Sequence, residues 1–335
     1  MWITSTLDTV LTPTAVALGN FDGIHRGHRQ VIQPILKSDQ LLTQQAEILH
    51  ASAVGLSSIL DTVDRGQPNY ATVVTFHPHP QEFFTGKSKK LLTPIDEKIE
   101  YLRSIGVEQV VLLAFDQQLA NLSPREFVEE ILLKHLQATH ITIGFDFRFG
   151  KGRTGTAPEL KAIAASQKVE VTIVDRYPCE QGERISSSMI RQALENGNLD
   201  RAHHLLGRSY SLVGQVVQGQ QLGRTLGFPT ANLQLPPEKF LPRYGVYAVQ
   251  VSCASEQLKL EAHPAVMNIG CRPTVEGQQP TVEVYLLEWS GNLYGQTLTV
   301  YLKEFLRPEQ KFASLDDLKA QIKMDCVRAE KVLNS

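Results

Sequence analysis

Ala15-Val16-Ala17-Leu18-Gly19-Asn20-Phe21-Asp22-Gly23-Ile24-His25-Arg26-Gly27-His28 decides the fold of the first half of this chain. Four apolar residues in a row fit a strand buried on both faces. The glycine-bracketed turn ends that strand, and a helix begins behind it. His25 and His28 stand three residues apart, so they share one helix face. The first turn of that helix offers unpaired N–H groups and the positive dipole end to an anion. Gly27 carries no side chain, which suggests close approach of a phosphate to the backbone. Two imidazole donors there stabilise charge building on a phosphoryl group in flight, without a covalent intermediate. A surface helix with two solvated histidines is the alternative; the strand and glycine turn before the pair favour phosphate chemistry.

Outward from this segment, strand-like runs at 15–18, 71–76, 109–114, 141–145 and 169–174 alternate with helix-like stretches at 27–37, 39–63, 94–105, 123–137 and 158–167. Ser123-Pro124-Arg125-Glu126 supplies an N-cap, a proline at the first position and the acid of a capping box. Pro34 is expected to kink or shorten the first helix. Alternation of this kind predicts an α/β domain with a mostly parallel sheet covered on both faces. Ligands of such sheets bind beyond the carboxyl ends of the strands, where His25 and His28 fall.

The pattern changes after about residue 190. Residues 187–206 read as a helix pair interrupted at Asn196-Gly197-Asn198. Short strands follow at 210–218, 244–252, 264–269, 281–288 and 297–305, a spacing that fits an antiparallel barrel or sandwich. A last helix begins at Ser314, which can form a capping box with Asp317. Its stripe of Leu315, Leu318, Ile322, Ala329 and Leu333 is expected to pack on the strands.

Composition excludes several classes. The 335 residues suffice for about two domains, and 42% apolar with 20% charged residues describes an ordinary globular protein. A net charge of −2 leaves no basic footprint, so nucleic acid is not the expected partner. No run approaches the roughly 18 apolar residues of a membrane span. No basic and apolar leader precedes Asp8. Cys179, Cys253, Cys271 and Cys326 have no metal-like spacing and read as free thiols of a reducing compartment. A cytoplasmic protein, a monomer or weak homo-oligomer, is the expectation.

Three local patterns compete for attention. Gly150-Lys151-Gly152-Arg153-Thr154-Gly155 satisfies the dinucleotide fingerprint, and Asp175 ends the following strand. Phe145-Asp146-Phe147-Arg148-Phe149 separates the strand from the first glycine, however, and Pro158 delays the helix. The preferred reading is a mobile loop over a nucleotide or aromatic ligand, with Asp146 near it. Gly86-Lys87-Ser88 lacks the first glycine of a P-loop, since position 81 is Gln. His77-Pro78-His79-Pro80 reads as a rigid turn rather than a metal site.

Arg184-Ile185-Ser186-Ser187-Ser188-Met189-Ile190-Arg191 opens a helix with hydroxyls flanked by arginines, groups that suit phosphate oxygens. Together with His-x-Gly-His it resembles the nucleotidyltransferase superfamily. Gly223-Arg224-Thr225-Leu226-Gly227-Phe228-Pro229-Thr230-Ala231-Asn232-Leu233 resembles the signature of riboflavin kinases. So do Ala265-Val266-Met267-Asn268-Ile269-Gly270-Cys271-Arg272-Pro273-Thr274 and Phe305-Leu306-Arg307-Pro308-Glu309. Nearly end to end, the chain resembles the prokaryotic bifunctional riboflavin kinase/FAD synthetase family.

That resemblance implies a Rossmann-like nucleotidyltransferase domain over 1–186, a helical linker over 187–207 and a β-barrel riboflavin kinase domain with a terminal helix over 208–335. It implies two reactions: ATP phosphorylates riboflavin to FMN in the second half, and FMN is adenylylated to FAD with loss of pyrophosphate in the first. Thr230 and Asn232 project on one side of an extended segment, where a hydroxyl and an amide oxygen can hold one Mg²⁺. By the resemblance Glu283 is the general base, and Gly223, Arg224, Gly227, Phe228, Pro229 and Arg307 bind ATP or riboflavin. His25 and His28 stabilise the adenylyl-transfer transition state. Gly19, Asn20, Asp22, Gly23, Asp146, Arg184, Ser187, Ser188 and Arg191 surround ATP and FMN. The chain departs from the family pattern at Leu222, where Arg is frequent, and at Tyr285, where His is common.

Overall fold

The computed structural model describes residues 1–36, 69–175, 185–219, 222–255, 258–274 and 277–334. The helix expected over 39–63, Cys179 and Arg184 lie outside these residues, as do the side chains of Leu222 and Arg224. Contacts divide the chain into one unit of Met1–Lys89 with Ile95–Ile185 and another of Lys90–Pro94 with Ser186–Ser335.

In the first unit, β1 (Trp2–Thr4), β2 (Thr14–Leu18), β3 (Tyr70–His77), β4 (Gln109–Ala114), β5 (Ala138–Gly144) and β8 (Glu170–Val174) form a six-stranded sheet in the order β1-β4-β3-β2-β5-β8. Every pairing is parallel. Strands β6 (Arg148–Phe149) and β7 (Gly155–Thr156) make a separate hairpin. Side chains alternate across β2: Val16 and Leu18 enter one core with Leu132 and Ile141, while Ala15 and Ala17 enter another with Ile32 and Leu102. The sheet is therefore covered on both faces, as the continuous apolar runs demand.

The helices of this unit are α1 (Arg26–Ile32), α2 (Pro80–Thr85), α3 (Ile95–Ser104), α4 (Gln117–Asn121), α5 (Pro124–Glu126, continuing as π-helical Phe127–His135) and α6 (Ala157–Ala165). Pro34 does shorten the first helix, which ends at Ile32 and passes into a 3-10 turn over Gln33–Ile35. Ser123 and Glu126 close the capping box that their spacing predicts. The glycine-rich segment differs from its expectation. It is a hairpin whose Phe149 is buried against Phe127, rather than a segment without regular structure. A Cβ at Gly155 would meet the Phe149 ring at 2.9 Å, so this glycine serves packing.

In the second unit, β9 (Ser211–Val217), β10 (Ala231–Gln234), β11 (Gly245–Ala254), β12 (Lys259–Thr274), β13 (Gly277–Leu286) and β14 (Thr297–Pro308) close a barrel in the order β10-β13-β12-β11-β14-β9. All its pairings are antiparallel, so of barrel and sandwich the barrel is realised. Helices α7 (Ser187–Glu195), α8 (Leu199–Leu206), α9 (Leu222–Leu226) and α10 (Leu315–Leu333) accompany it. Residues 90–94 also belong here. Leu91 N–H donates to the Glu238 carbonyl at 2.6 Å, and the buried Lys239 Nζ donates to the Leu92 carbonyl at 2.9 Å.

The stripe of α10 divides its work. Ala329 and Leu333 pack on the barrel against Val246, Ala248 and Val266. Leu318 and Ile322 instead line a cavity, and Leu315 is 66% exposed at its rim.

Candidate active sites

Where β2 ends, the chain must turn sharply to start α1. Phe21 (φ 46°), Gly23 (φ 91°) and Ile24 (φ 37°) all take left-handed backbone. Two of these are bulky residues in a conformation they rarely adopt, so the turn stores strain that the surrounding packing holds. Phe21 and Ile24 provide that packing, being 1% and 0% exposed. The Gly19 N–H donates to the Val74 carbonyl at 3.2 Å and ties the turn to β3.

His25 is the N-cap of α1, and its Nδ1 accepts the His28 backbone N–H at 3.2 Å. A neutral His25 therefore carries its proton on Nε2. The two rings stack with centroids 3.6 Å apart and 16° between planes, and Phe21 meets His28 edge-on at 5.4 Å. A Cβ at Gly27 would lie 3.3 Å from the His25 ring, so the absent side chain also makes room for that imidazole.

Parallel register brings the ends of β2, β3 and β5 to one edge of the sheet. Exposed Asn20, buried Asp22 and exposed Asp146 lie in segments that leave these strands there. His77-Pro78-His79-Pro80 is a turn, as its prolines predict, in which His79 caps α2 through a capping box with Glu82. Burial pushes the His79 imidazole down to about 4, reinforced by Lys89 and opposed by Asp22. Phe83, Phe84 and Phe115 form a mutual edge-to-face cluster at the ends of β3 and β4, with Phe84 67% exposed. Sequence reading missed this cluster, because its members come from two distant segments.

Sequence reading also missed Lys98. It lies on α3, only 5% exposed, and its Nζ donates to the Asn20 carbonyl at 2.8 Å and to Thr75 Oγ1 at 3.3 Å. Ser187 and Ser188 open α7, whose cap is Ser186, accepting the Met189 N–H at 3.4 Å. Arg191 on the same helix donates to the Lys90 carbonyl at 3.1 Å and lies over the Phe240 ring, both within the second unit.

Among the described residues of the second unit, one cavity of about 490 Å³ lies beside another of about 420 Å³. Strand periodicity turns Val282 and Val284 into the barrel and leaves Glu283 and Tyr285 outside. Glu283 pairs across strands with Asn232, and Thr230 Oγ1 donates to Glu283 Oε2 at 3.4 Å. These three residues line the larger cavity together with Phe228 and Tyr285, whose rings meet edge-on at 5.5 Å. Thr230 lines the smaller one too, with Pro229, Trp289 and Tyr294. Thr230 is thus a wall common to both.

The donors at this wall are a hydroxyl, an amide oxygen and a carboxylate, all hard oxygen ligands that fit Mg²⁺. Close backbone approach keeps them in place. A Cβ at Gly219 would fall 2.3 Å from Asn232 Nδ2, and one at Gly223 would fall 3.2 Å from Thr230 Oγ1. Among the described residues, no group of three His, Cys, Asp or Glu side chains is arranged to hold a metal. Gly227 is exposed in left-handed backbone just past α9. Arg307 reaches the larger cavity, but its guanidinium is held by Asp325, with Nε at 3.0 Å from Oδ1 and Nη2 at 2.8 Å from Oδ2. Gln321 supports the same carboxylate at 2.9 Å.

Family models match both halves: one described as FAD synthetase over residues 8–49 and 57–189, another described as riboflavin kinase over 206–333. A bifunctional riboflavin kinase/FMN adenylyltransferase of Escherichia coli (strain K12) is 40% identical over 92% of this chain and 90% of its own. A protein of the same description from Bacillus subtilis (strain 168) is 33% identical over 93% and 90%. A crystal structure of a protein described as a macrolide-efflux protein from Streptococcus pneumoniae superposes with a TM-score of 0.78 at 31% identity, covering 99% of this chain and 98% of that one. Among the described residues of this chain, no helix is long and apolar enough to cross a membrane.

Proposed function

The chain belongs to the bifunctional riboflavin kinase/FMN adenylyltransferase family, and on that premise we propose how its residues divide two consecutive reactions. The C-terminal kinase makes FMN from riboflavin and ATP, and the N-terminal FAD synthetase makes FAD from FMN and ATP. The observation that carries the residue assignment is the shared wall at Thr230 between two cavities.

Phosphoryl transfer needs an acceptor and a donor on opposite sides of one point. Glu283 lines only the larger cavity, so riboflavin lies there, with its ring system against Phe228 and Tyr285. ATP takes the smaller cavity, with its adenine against Trp289 and Tyr294. Glu283 accepts the proton of the 5′-hydroxyl as that oxygen attacks the γ-phosphate. Thr230 and Asn232 would hold Mg²⁺, which would supply charge neutralisation to the phosphate oxygens. Gly223, Arg224 and Gly227 border the phosphates, and Arg307 fixes α10 against the cavity through Asp325.

In the first unit the FMN phosphate attacks the α-phosphate of ATP, and pyrophosphate leaves. His25 donates from Nε2 to the crowded phosphoryl oxygens, with His28 stacked beside it. Asn20, Asp22, Gly23 and Asp146 border the nucleotide. Exposed Phe84, backed by Phe83 and Phe115, offers an aromatic face to the flavin.

Product chromatography tests the assignment. His28→Ala is expected to abolish FAD formation while riboflavin still becomes FMN. Glu283→Ala is expected to do the reverse when FMN is supplied. Loss of both activities in either folded variant refutes the division.

A further inference from the structure

The turn that presents His25 rests on a buried cation. Lys98 comes from α3, a helix whose neighbours Asp96 and Glu97 open its first turn. Its ammonium reaches through the core to the Asn20 carbonyl at 2.8 Å. Thr75, 0% exposed on β3, donates its Oγ1 to the same carbonyl at 3.2 Å and accepts from Lys98 at 3.3 Å. Three elements thus meet on one backbone oxygen, five residues before His25. A buried ammonium is costly to desolvate and persists where it is hydrogen-bonded and has a counter-charge. Asp22, 4% exposed in the same turn, supplies that charge.

We propose that Lys98 is a positioning residue for adenylyl transfer, holding the 19–24 turn through Asn20 so that His25 and His28 meet the α-phosphate. This proposal rests on the reading that these two histidines act in FAD formation. It explains how a turn with Phe21 and Ile24 in left-handed backbone keeps a single conformation: a charged donor and a hydroxyl fix its first residue. It also explains a lysine on the buried face of an otherwise amphipathic helix, beside Ile99 and Leu102.

The position has a pH consequence. Burial pushes the Lys98 ammonium down to about 8, Asp22 opposing and Lys89 adding to the fall. His79, on the segment carrying Lys89, also feels the Lys98 charge. In the free enzyme, deprotonation above that range removes the charge on the Asn20 carbonyl. The kcat/KM for ATP in FAD formation therefore falls on an alkaline limb near 8.

The test uses the full chain, with FMN and ATP as substrates and riboflavin phosphorylation by the same protein as the internal control. First, wild type must form FAD and His28→Ala must not; failure there sinks the histidine reading and not Lys98 specifically. Lys98→Met is then expected to lower kcat for FAD by at least tenfold, leaving the KM for ATP and the kinase rate unchanged. Lys98→Arg is expected to recover part of kcat and to shift the alkaline limb upward, since guanidinium keeps its charge. Thr75→Val, which removes only the second donor, is expected to give a smaller kcat loss of the same kind and decides the matter if Lys98→Met does not fold. A wild-type kcat in folded Lys98→Met overturns the proposal. So does a loss confined to KM, or a Thr75→Val protein indistinguishable from wild type.

Discussion

His25 lends its Nδ1 to the backbone N–H of His28 at 3.2 Å while the two imidazoles lie flat on each other at 3.6 Å. One hydrogen bond therefore starts the helix and selects the tautomer. A neutral His25 carries its proton on Nε2, so the bond that begins the helix also fixes which ring nitrogen is the donor.

Gly27→Ala separates stability from activity. Alanine in a helix is favoured over glycine by about 0.5–1 kcal/mol. Its Cβ, however, would press on the His25 ring at 3.3 Å and push it by a few tenths of an ångström. Thermal unfolding is expected to be unchanged or slightly later, with FAD formation reduced severalfold and FMN formation untouched.

Arg307 and Asp325 form an ion pair whose side chains are 17% and 6% exposed. Removing one partner strands the other charge, at a cost of about 3–5 kcal/mol. Asp325→Ala is expected to lower the unfolding free energy of the barrel unit by that amount, read from urea titrations followed at Trp289 in a Trp2→Phe background. The double variant Arg307→Met/Asp325→Leu is expected to lose less than either single change.

His203 sets an acid limit on the second unit. Burial pushes its imidazole down to about 4, Lys303 adding to the effect and Asp200 opposing it. Below the ordinary value of 6.5, the unfolded chain binds a proton that the folded one resists until about 4. Stability is thus full above 6.5 and falls as pH drops through that window. His203→Gln is expected to flatten the fall, measured as urea midpoints between pH 7 and pH 4.

Tyr294→Ala probes the ATP side of the kinase. Loss of an aromatic stacking partner worth about 0.5–1.5 kcal/mol raises KM for ATP in FMN formation roughly 2- to 12-fold by the same energy. The KM for riboflavin is expected to stay put. An equal rise in both would place ATP elsewhere.

How much of this was legible depends on whether the signal was local. The five sheet strands, the Ser123 and Ser314 caps, the shortening at Pro34 and the outward face of Glu283 all follow from near neighbours in sequence. Lys98 did not announce itself, because a lysine in a helix with acidic neighbours reads as solvated until Asn20 and Thr75 are folded over it. The three-residue β1 is too short to show periodicity and exists by pairing with β4. Gly27 showed that a side chain was unwelcome, but only packing revealed that His25 was the reason. The fingerprint at 150–155 matched by residue type, yet those glycines serve a hairpin.

Residues 90–94 leave the first unit to lie with the second, and the chain then returns. Dissecting the gene between residues 185 and 186 would accordingly not yield two whole proteins. The downstream fragment would lose the Leu92 carbonyl that accepts from Lys239, a cation only 3% exposed. A kinase expressed alone would need that five-residue segment grafted back, or an apolar residue at 239. In this chain the order of the sequence and the borders of the folding units are interleaved.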